Sequence, residues 1–236
     1  MSEEAILQVF NVCKAFGGVQ ALLDVSFSVQ KGEVFGIIGP NGSGKTTLIN
    51  CITGFIKMNS GKVLYKDKEI SNRAPNQIAN LGVTRTFQIM RPYYSLPAYK
   101  NLVIPLLSPR ARRTGGWRGG GKLGDRETVS IDILEEIGFE RDSFVPYKLA
   151  SSLPTGYLKR LELARCLALR PDVILCDEVF ISRQTVVRPH NLESSCDAKI
   201  GNLIGRPVTN LFAFIENLAG VHLDETRDAI DKGCLP

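Results

Sequence analysis

Eight consecutive residues have the types and the spacing needed to hold a phosphate group. Residues 39–46 read Gly-Pro-Asn-Gly-Ser-Gly-Lys-Thr and fit the pattern G-x-x-x-x-G-K-[ST]. Glycines at three of these positions permit backbone angles and close approaches that a side chain would block. Successive backbone N–H groups can therefore point into one concavity and cradle phosphate oxygens. The alternative is a glycine-rich turn that binds nothing, and the correctly placed Lys45 and Thr46 disfavour it.

The residues of this loop have distinct predicted roles. Lys45 is expected to reach the β- and γ-phosphates, and the Thr46 hydroxyl is expected to ligate Mg²⁺. A helix that begins near Lys45 adds the positive end of its dipole. The remaining predicted phosphate contacts are Gly39, Asn41, Gly42, Ser43, Gly44 and Thr47. The loop therefore predicts the binding of a nucleoside triphosphate with its metal.

A pair of acidic residues far along the chain supplies the chemistry that the loop lacks. Residues 173–176 are apolar and predict a buried strand, and Asp177 and Glu178 follow it directly. Asp177 would hold Mg²⁺ through its water shell, and Glu178 would polarise the attacking water as a general base. Alone, such a pair would be interpreted as surface carboxylates at the end of a strand. Together with the phosphate loop, it indicates a hydrolytic site.

The elements that must position these residues follow from the hydrophobic pattern. Residues 34–38 predict the buried strand before the loop, and residues 47–52 predict the first turns of the helix after it. Alternating apolar residues predict half-buried strands, and apolar residues at helical spacing predict amphipathic helices. The strands are expected at 6–12, 25–29 and 61–65, and the helices around 131–137 and at 157–169. This pattern predicts an antiparallel sheet beside an α/β core, with a helical insertion from about residue 98 to residue 153.

The composition is that of an ordinary globular protein. The chain has 236 residues, of which 44% are hydrophobic and 22% are charged, with a net charge of +5 that hints at anionic partners. No apolar run approaches the roughly 18 residues of a membrane helix, and the acidic start lacks a signal-peptide pattern. We therefore expect a cytoplasmic protein, unless a partner holds it at a membrane. Six cysteines without a C-x-x-C pair predict reduced thiols rather than a metal site or disulfides.

Residues 110–122 are rich in arginine and glycine, and we expect this stretch to be too charged and too flexible to pack. One interpretation is a contact with an anionic partner or with lipid headgroups. The other is a solvated loop, which is the commoner role of charged, glycine-rich linkers. Both interpretations stay open from the sequence.

The chain resembles the ATP-binding subunits of ABC transporters, and it looks most like those of branched-chain amino acid importers. The resemblance runs from the start of the chain to Glu178, about three quarters of the sequence. The matching stretches are KAFGG at 14–18, GPNGSGKTT at 39–47, NCITGF at 50–55, GVTRTFQ at 82–88 and RLELAR at 160–165. The resemblance implies a P-loop NTPase core of the RecA-like kind in a domain spanning residues 1–178, with a helical subdomain at about 98–170.

The resemblance also implies further site residues. Phe16 matches the aromatic residue that stacks on adenine, although a core phenylalanine before a turn is the competing interpretation. Gln88 matches the glutamine that senses Mg²⁺ and water beside the membrane subunits, and its alternative is a polar residue that closes a strand. Residues 153–157 fall where the family has Leu-Ser-Gly-Gly-Gln. Gly156 keeps the backbone N–H that would face the γ-phosphate of the opposite protomer, whereas Pro154 and Tyr157 replace the serine and the glutamine.

The resemblance stops abruptly after Glu178. Residues 179–185 lack the family's Leu-Asp loop, and neither His190 nor His222 follows an apolar strand, so both are interpreted as surface histidines. The sequence predicts one helix at 211–218, capped by Asn210, and no strand that would complete the parallel sheet. We therefore expect an atypical segment at 179–236, with a frameshifted, chimeric or diverged origin.

These observations predict a three-layer α/β nucleotide-binding core, an antiparallel β subdomain and a helical insertion. The implied function is the Mg²⁺- and ATP-dependent ATPase of an importer, with a second protomer, membrane permease subunits and, indirectly, a solute-binding protein as partners. Three alternatives remain, and the first is a nucleotide-binding module with little turnover. The second is an ABC-type ATPase acting on DNA or ribosomes, which the absence of heptads and internal repeats disfavours. The third is a GTPase, which would need an N-K-x-D motif that does not occur.

Overall fold

The computed structural model describes residues 5–87, 89–114, 125–140, 143–177 and 210–216. The strands are β1 (Ala5–Phe16), β2 (Val19–Gln30), β3 (Val34–Gly39), β4 (Ser60–Tyr65), β5 (Lys68–Glu69), β6 (Val83–Arg85), β7 (Val173–Cys176) and β8 (Asn210–Glu216). The helices are α1 (Lys45–Ile52), α2 (Pro75–Leu81), α3 (Ala98–Leu106), α4 (Pro109–Thr114), α5 (Arg126–Glu136) and α6 (Thr155–Ala168). They form two four-stranded sheets and a group of helices inserted between β6 and β7.

The first sheet is the antiparallel one that the alternating pattern predicts. Its strand order is β2-β1-β4-β5, and all three pairs of neighbours run antiparallel. Val9, Val29 and Val63 are almost completely buried, because one face of the sheet packs against α1 and the core beneath it. The three strands predicted from the sequence are confirmed, although β1 and β2 are each longer than predicted.

The second sheet is parallel and carries the candidate chemistry at its carboxyl edge. Its order is β3-β8-β7-β6, so the strand before the phosphate loop and the strand before Asp177 are not neighbours. The strand between them is β8, which pairs in parallel with both. In a sheet of this kind, ligands bind beyond the carboxyl ends of the strands. The loop and Asp177 therefore lie at the same edge.

The placement of β8 overturns one expectation from the sequence. The helix predicted at 211–218 is wrong, and so is the expectation that the tail supplies no strand for the parallel sheet: residues 210–216 form one of its two inner strands. The segment reads Asn-Leu-Phe-Ala-Phe-Ile-Glu. A short apolar run of this kind does not distinguish a helix from a strand by periodicity, and a strand between two parallel neighbours is expected to be apolar along its length.

The helices of the insertion form a second hydrophobic core. Leu102, Leu134 and Leu161 come from α3, α5 and α6 and are fully buried together. Asp125 caps α5 by accepting a hydrogen bond from the Glu127 N–H. The predicted helices at 131–137 and 157–169 are thus confirmed, with boundaries shifted by a few residues. Within the described residues, none of the helices is both long enough and apolar enough to cross a membrane.

The expectation that the basic stretch does not pack is wrong for its first residues. Residues 109–114 form α4, and the Arg110 side chain is only 11% exposed. Its guanidinium donates to the carbonyls of Arg170 (2.7 Å) and Leu81 (2.5 Å) and pairs with Asp172 at 3.0 Å. An arginine can be buried when its fork of donors finds such acceptors. Residues 115–122 of the stretch lie outside the described residues.

Four of the six cysteines lie in the described part of the chain, and all four are free thiols. Cys51, Cys166 and Cys176 are buried. Burial raises the pKa of the Cys166 thiol, as it does for Cys176, whose pKa rises to about 12. These side chains therefore remain neutral and pack as small apolar groups. Cys196 and Cys234 lie outside the described residues.

Candidate nucleotide site

The phosphate loop connects the end of β3 to the start of α1, as the motif requires. The expectation that residues 34–38 are buried is wrong, since Ile38 is 64% exposed and β3 has only one neighbour among the described strands. Gly42 and Gly44 both have positive φ angles, of +81° and +92°. A Cβ at Gly44 would also lie 2.5 Å from the Ala21 carbonyl oxygen, so both the backbone angle and the space demand glycine there. Gly44 precedes the first residue of α1, and its carbonyl accepts the Leu48 N–H at 2.8 Å. The loop backbone therefore leads directly into the helix terminus.

Lys45 is folded back over its own loop. Its ammonium donates to the carbonyl oxygens of Gly39 (2.6 Å) and Pro40 (2.8 Å) and lies 3.5 Å from Ser43 Oγ. The residue is only 7% exposed, so these acceptors replace the water that the charge would otherwise require. The ammonium thus stands at the mouth of the loop, where phosphate oxygens can become its partners.

The structure brings the loop and the acidic strand end into direct contact. Thr46 Oγ1 donates to Asp177 Oδ1 at 3.0 Å, although 131 residues separate them in the sequence. The Asp177 side chain is 3% exposed, at the carboxyl end of β7. A hydroxyl and a carboxylate at hydrogen-bonding distance are the hard oxygen ligands that Mg²⁺ prefers, and the phosphate loop supplies the place for the remaining oxygens. The donor set therefore fits a magnesium ion.

Arg85 donates to the other oxygen of the same carboxylate, a role that no motif in the sequence indicates. Its Nη2 donates to Asp177 Oδ2 at 2.8 Å, and its Nη1 donates to the Asn50 amide oxygen. The guanidinium also lies 4.7 Å from the centre of the Phe87 ring and 5.5 Å from that of Phe55. Burial lowers the pKa of Arg85, and the Asp177 charge opposes that shift. The sequence carries no signal for this contact, because Asn50 and Asp177 belong to other elements.

Phe16 ends β1 and is 47% exposed. It is therefore not a core residue, and about half of its surface is accessible. Lys14 places its ammonium 4.9 Å from the centre of the Phe16 ring. The predicted stacking on adenine remains a prediction.

Gln88 and Glu178 lie outside the described residues, which include both neighbours of Gln88 and, before Glu178, Asp177. Phe87 precedes Gln88 and packs edge-on against Phe55, with ring centres 5.7 Å apart. The polypeptide beyond Gln88 is tied to α6, because Arg165 donates to the Arg91 carbonyl at 2.9 Å. Arg165 also lies over the ring of Tyr93, 5.2 Å from its centre.

Glu162 provides a second contact between α6 and the segment around Gln88. The side chain is nearly buried and accepts from Arg165 at 3.1 Å. Burial raises the pKa of Glu162, and the Arg165 charge and a hydrogen bond from the Phe87 backbone oppose that shift. α6, whose first turn contains Thr155 to Tyr157, is therefore in direct contact with the segment that leads to Gln88.

Gly156 lies in the first turn of α6, one residue after the helix begins. It is exposed, and no atom lies within 4 Å of the position where a Cβ would stand. Pro154 precedes the helix and supplies no side-chain cap. Thr155 and Gly156 are both exposed, so the backbone at the start of this helix is accessible to a second molecule.

Comparison with known proteins agrees with this geometry. Residues 22–180 match the family model described as ABC transporter. The chain is 36% identical over 173 residues to the probable branched-chain amino acid transport ATP-binding protein LivG of Methanocaldococcus jannaschii, covering 73% of this chain and 67% of that protein. It is 32% identical over 179 residues to the high-affinity LivG of Escherichia coli K12, covering 74% of this chain and 69% of that protein.

A solved structure shows the same fold. The ADP conformation of an ATP-binding cassette of an ABC transporter superposes with a TM-score of 0.64 at 32% sequence identity. The match covers 90% of this chain and 81% of that one. The overall fold of this chain therefore recurs in an ATP-binding cassette that was solved in its ADP conformation.

Proposed function

This chain belongs to the ABC transporter family as an ATP-binding, ATP-hydrolysing subunit, and from that premise we propose that it uses Mg²⁺ and ATP to power the import of branched-chain amino acids or similar small solutes. The observation that carries the proposal is the hydrogen bond from Thr46 to Asp177, which joins the phosphate loop to the acidic strand end. The solute class rests on the names of the relatives.

The site residues divide the chemistry among them. Lys45 exchanges its carbonyl partners for β- and γ-phosphate oxygens, so that charge developing on the γ-phosphoryl group meets a fixed cation. Thr46 and Asp177, with Gln88, would hold Mg²⁺, which neutralises charge on the β- and γ-oxygens when it is bound. Glu178 accepts a proton from the attacking water as the new bond to phosphorus forms. Phe16 offers its exposed face to the adenine ring.

Two protomers complete each site in this proposal. The exposed start of α6 at Gly156 would face the γ-phosphate held by the loop of the opposite protomer. A helix N-terminus suits an anion because its N–H groups and its dipole both favour negative charge. The loss of a serine hydroxyl at Pro154 leaves this contact to the backbone. The partner protomer is either identical or a related subunit.

The membrane partners would bind near Gln88. The described residues around it expose several large apolar side chains, which are Phe55, Phe87, Ile89, Tyr93 and Tyr94. Clustered exposed aromatic residues are typical of protein interaction surfaces. We propose that membrane-spanning permease subunits cover them, which would place the chain at the cytoplasmic face of the membrane, with a solute-binding protein acting on the permease and no nucleic acid involved.

An ATPase assay tests the enzymatic part. We expect the purified chain to hydrolyse ATP in the presence of Mg²⁺ and the variant Glu178→Gln to lose most of that rate while still binding ATP. Equal rates for the two proteins would contradict the assigned general base. Binding without measurable turnover in the wild type would favour the alternative of a nucleotide-binding module.

Transport is tested separately. The chain is reconstituted in proteoliposomes with the permease encoded nearest to it, and uptake of labelled leucine, isoleucine and valine is measured with and without ATP. Uptake that requires ATP and is lost in Glu178→Gln supports the proposal. ATP hydrolysis without uptake of any branched-chain amino acid would contradict the solute class and leave the ATPase assignment intact.

The division of the chain at residue 178 also remains a proposal. The family match ends at residue 180, whereas residues 210–216 supply a strand of the core sheet. We propose that residues 179–236 have a frameshifted, chimeric or diverged origin. The encoding DNA is read in its other two frames, and a frameshift is excluded if neither restores a Leu-Asp loop followed by a strand that ends in histidine.

A further inference from the structure

Arg85 joins the metal carboxylate to the helix of the phosphate loop. We infer that Arg85 is a positioning residue for Mg²⁺: it holds Asp177 by Oδ2 so that Oδ1 remains directed at Thr46 and the incoming ion. The inference rests on the proposed magnesium site. Arg85 touches neither nucleotide nor metal in this role and acts only through Asp177.

The two oxygens of Asp177 have separate partners. Thr46 occupies Oδ1 at 3.0 Å, and Arg85 occupies Oδ2 at 2.8 Å. A magnesium ion between Thr46 and Asp177 would displace the first hydrogen bond, because the hydroxyl oxygen would then face the ion. The second bond is on the far oxygen and can persist. Arg85 therefore restrains the carboxylate both before and after the ion arrives, and presents one oxygen to it rather than two.

Arg85 is itself held from several sides. Asn50 lies on α1, the same helix that presents Thr46, and its amide oxygen accepts from Arg85 Nη1. Arg85 Nε donates to the Thr86 carbonyl at 3.3 Å, and the aromatic rings of Phe55 and Phe87 flank the guanidinium. The result is a closed frame in which α1 contacts Asp177 directly through Thr46 and indirectly through Asn50 and Arg85. This arrangement of acceptors requires a planar fork of donors, which arginine has and lysine lacks.

The burial of the pair makes the restraint effective. The side chains of Arg85 and Asp177 are 7% and 3% exposed, so the interaction is little screened by water or salt. Residues that orient a metal ligand from behind commonly change metal affinity by about 10–100-fold when they are replaced. A pair that served only to stabilise the fold would instead change the stability, and the binding of ATP with and without metal, by similar factors.

The experiment compares the full-length protein with Arg85→Gln and Arg85→Lys. The affinity for a fluorescent ATP analogue is measured in EDTA and in Mg²⁺, and Mn²⁺ binding to the ATP complex is followed by electron paramagnetic resonance. For Arg85→Gln we expect Mn²⁺ binding about 10-fold weaker or more, with the affinity in EDTA changed by less than about 2-fold. Arg85→Lys keeps the charge without the fork, and we expect a partial recovery.

Arg110→Gln is the matched control. Arg110 is also a buried arginine paired with an aspartate. Its partner Asp172 precedes β7, at the opposite end of that strand from Asp177. This variant is expected to lose stability without any change in Mn²⁺ affinity. Asn50→Leu provides a second test if Arg85→Gln does not fold, because it removes one support of the guanidinium and leaves both charges in place. It should weaken Mn²⁺ binding by a smaller factor than Arg85→Gln.

The outcomes separate the two proposals. Unchanged Mn²⁺ affinity in Arg85→Gln, or in Asn50→Leu if the first variant is unfolded, overturns the role of Arg85. An equal loss of Mn²⁺ affinity in Arg110→Gln overturns it as well, because the effect would then reflect stability. A wild-type protein whose ATP complex does not bind Mn²⁺ contradicts the magnesium site itself.

Discussion

The two halves of the nucleotide site are held in different ways. Lys45 is held by the carbonyl oxygens of Gly39 and Pro40, which belong to its own loop. Asp177 is held by Thr46 and Arg85, which lie 131 and 92 residues away in the sequence. The first half is a local structure that short-range geometry determines. The second half exists only when β6, β7 and α1 have been brought together by the fold.

The largest effect is expected in the local half. Lys45→Ala removes the cation that meets the γ-phosphate, and we expect the ATPase rate to fall by about 10²–10³-fold, as for other single charge-stabilising groups. Thermal unfolding should change little, because the loop carbonyls regain water. The exposed Lys31→Ala is the control and should keep the wild-type rate. A large loss of stability in Lys45→Ala would show that the halves do not differ as described.

Asp177 belongs to the half of the site that depends on contacts between distant residues. We expect Asp177→Asn to lower both the stability and the ATPase rate of the protein. The substitution leaves the buried Arg85 without its counter-charge, and breaking a buried pair in this way costs about 3–5 kcal/mol. Urea unfolding measures the loss. The double variant Arg85→Gln/Asp177→Asn should be more stable than either single variant, since neither charge remains. Additive losses would contradict a direct pairing.

Gly44→Ala tests how strictly the loop backbone is specified. The φ angle of +92° and the 2.5 Å approach of the Ala21 carbonyl oxygen both oppose a Cβ. We expect a loss of about 1–3 kcal/mol in stability, together with weaker binding of ATP in EDTA. Gly17→Ala, also at a positive φ but with open space around it, should lose less. Equal losses of stability in the two variants would show that the positive φ angle accounts for the whole cost and that the close contact with Ala21 adds nothing.

Asp172→Asn is expected to have the smallest effect, and one that depends on pH. Burial raises the pKa of Asp172, but the hydrogen bonds from Lys66 and Tyr65 and the charge of Arg110 outweigh burial and lower it below the ordinary 3.8. Its stabilising contribution is therefore present above pH 3.8 and is lost as the pH falls toward the lower folded-state pKa. We expect Asp172→Asn to be less stable by about 1 kcal/mol at neutral pH and by less at acid pH.

The measurement is urea unfolding of wild type and variant at neutral pH and below pH 3.8. Asp67→Asn, on the exposed turn after β4, is the control. A difference between Asp172→Asn and wild type that grows on acidification would contradict the lowered pKa.

The same contrast explains what the sequence predicts. Residues 39–46 and 173–177 are contiguous motifs, and the backbone angles and the strand that they require are present. The role of Arg85 is not predictable from the sequence, because its partners Asn50 and Asp177 come from other elements and no spacing rule brings the three together. Arg110 was interpreted by composition alone, whereas its acceptors are carbonyls of distant residues. At 210–216 the local signals favoured a helix, and the sheet supplied the stronger constraint.

The position of β8 has a consequence for biosynthesis. Among the described strands, β3 pairs only with β8, and residues Val34 and Leu211 face each other in register. A ribosome therefore releases the phosphate loop long before the strand that anchors its sheet has been made. Contacts between such distant residues slow folding, because a long loop must close before they form. The nascent chain is thus expected to acquire nucleotide binding late, after β8 has been synthesised.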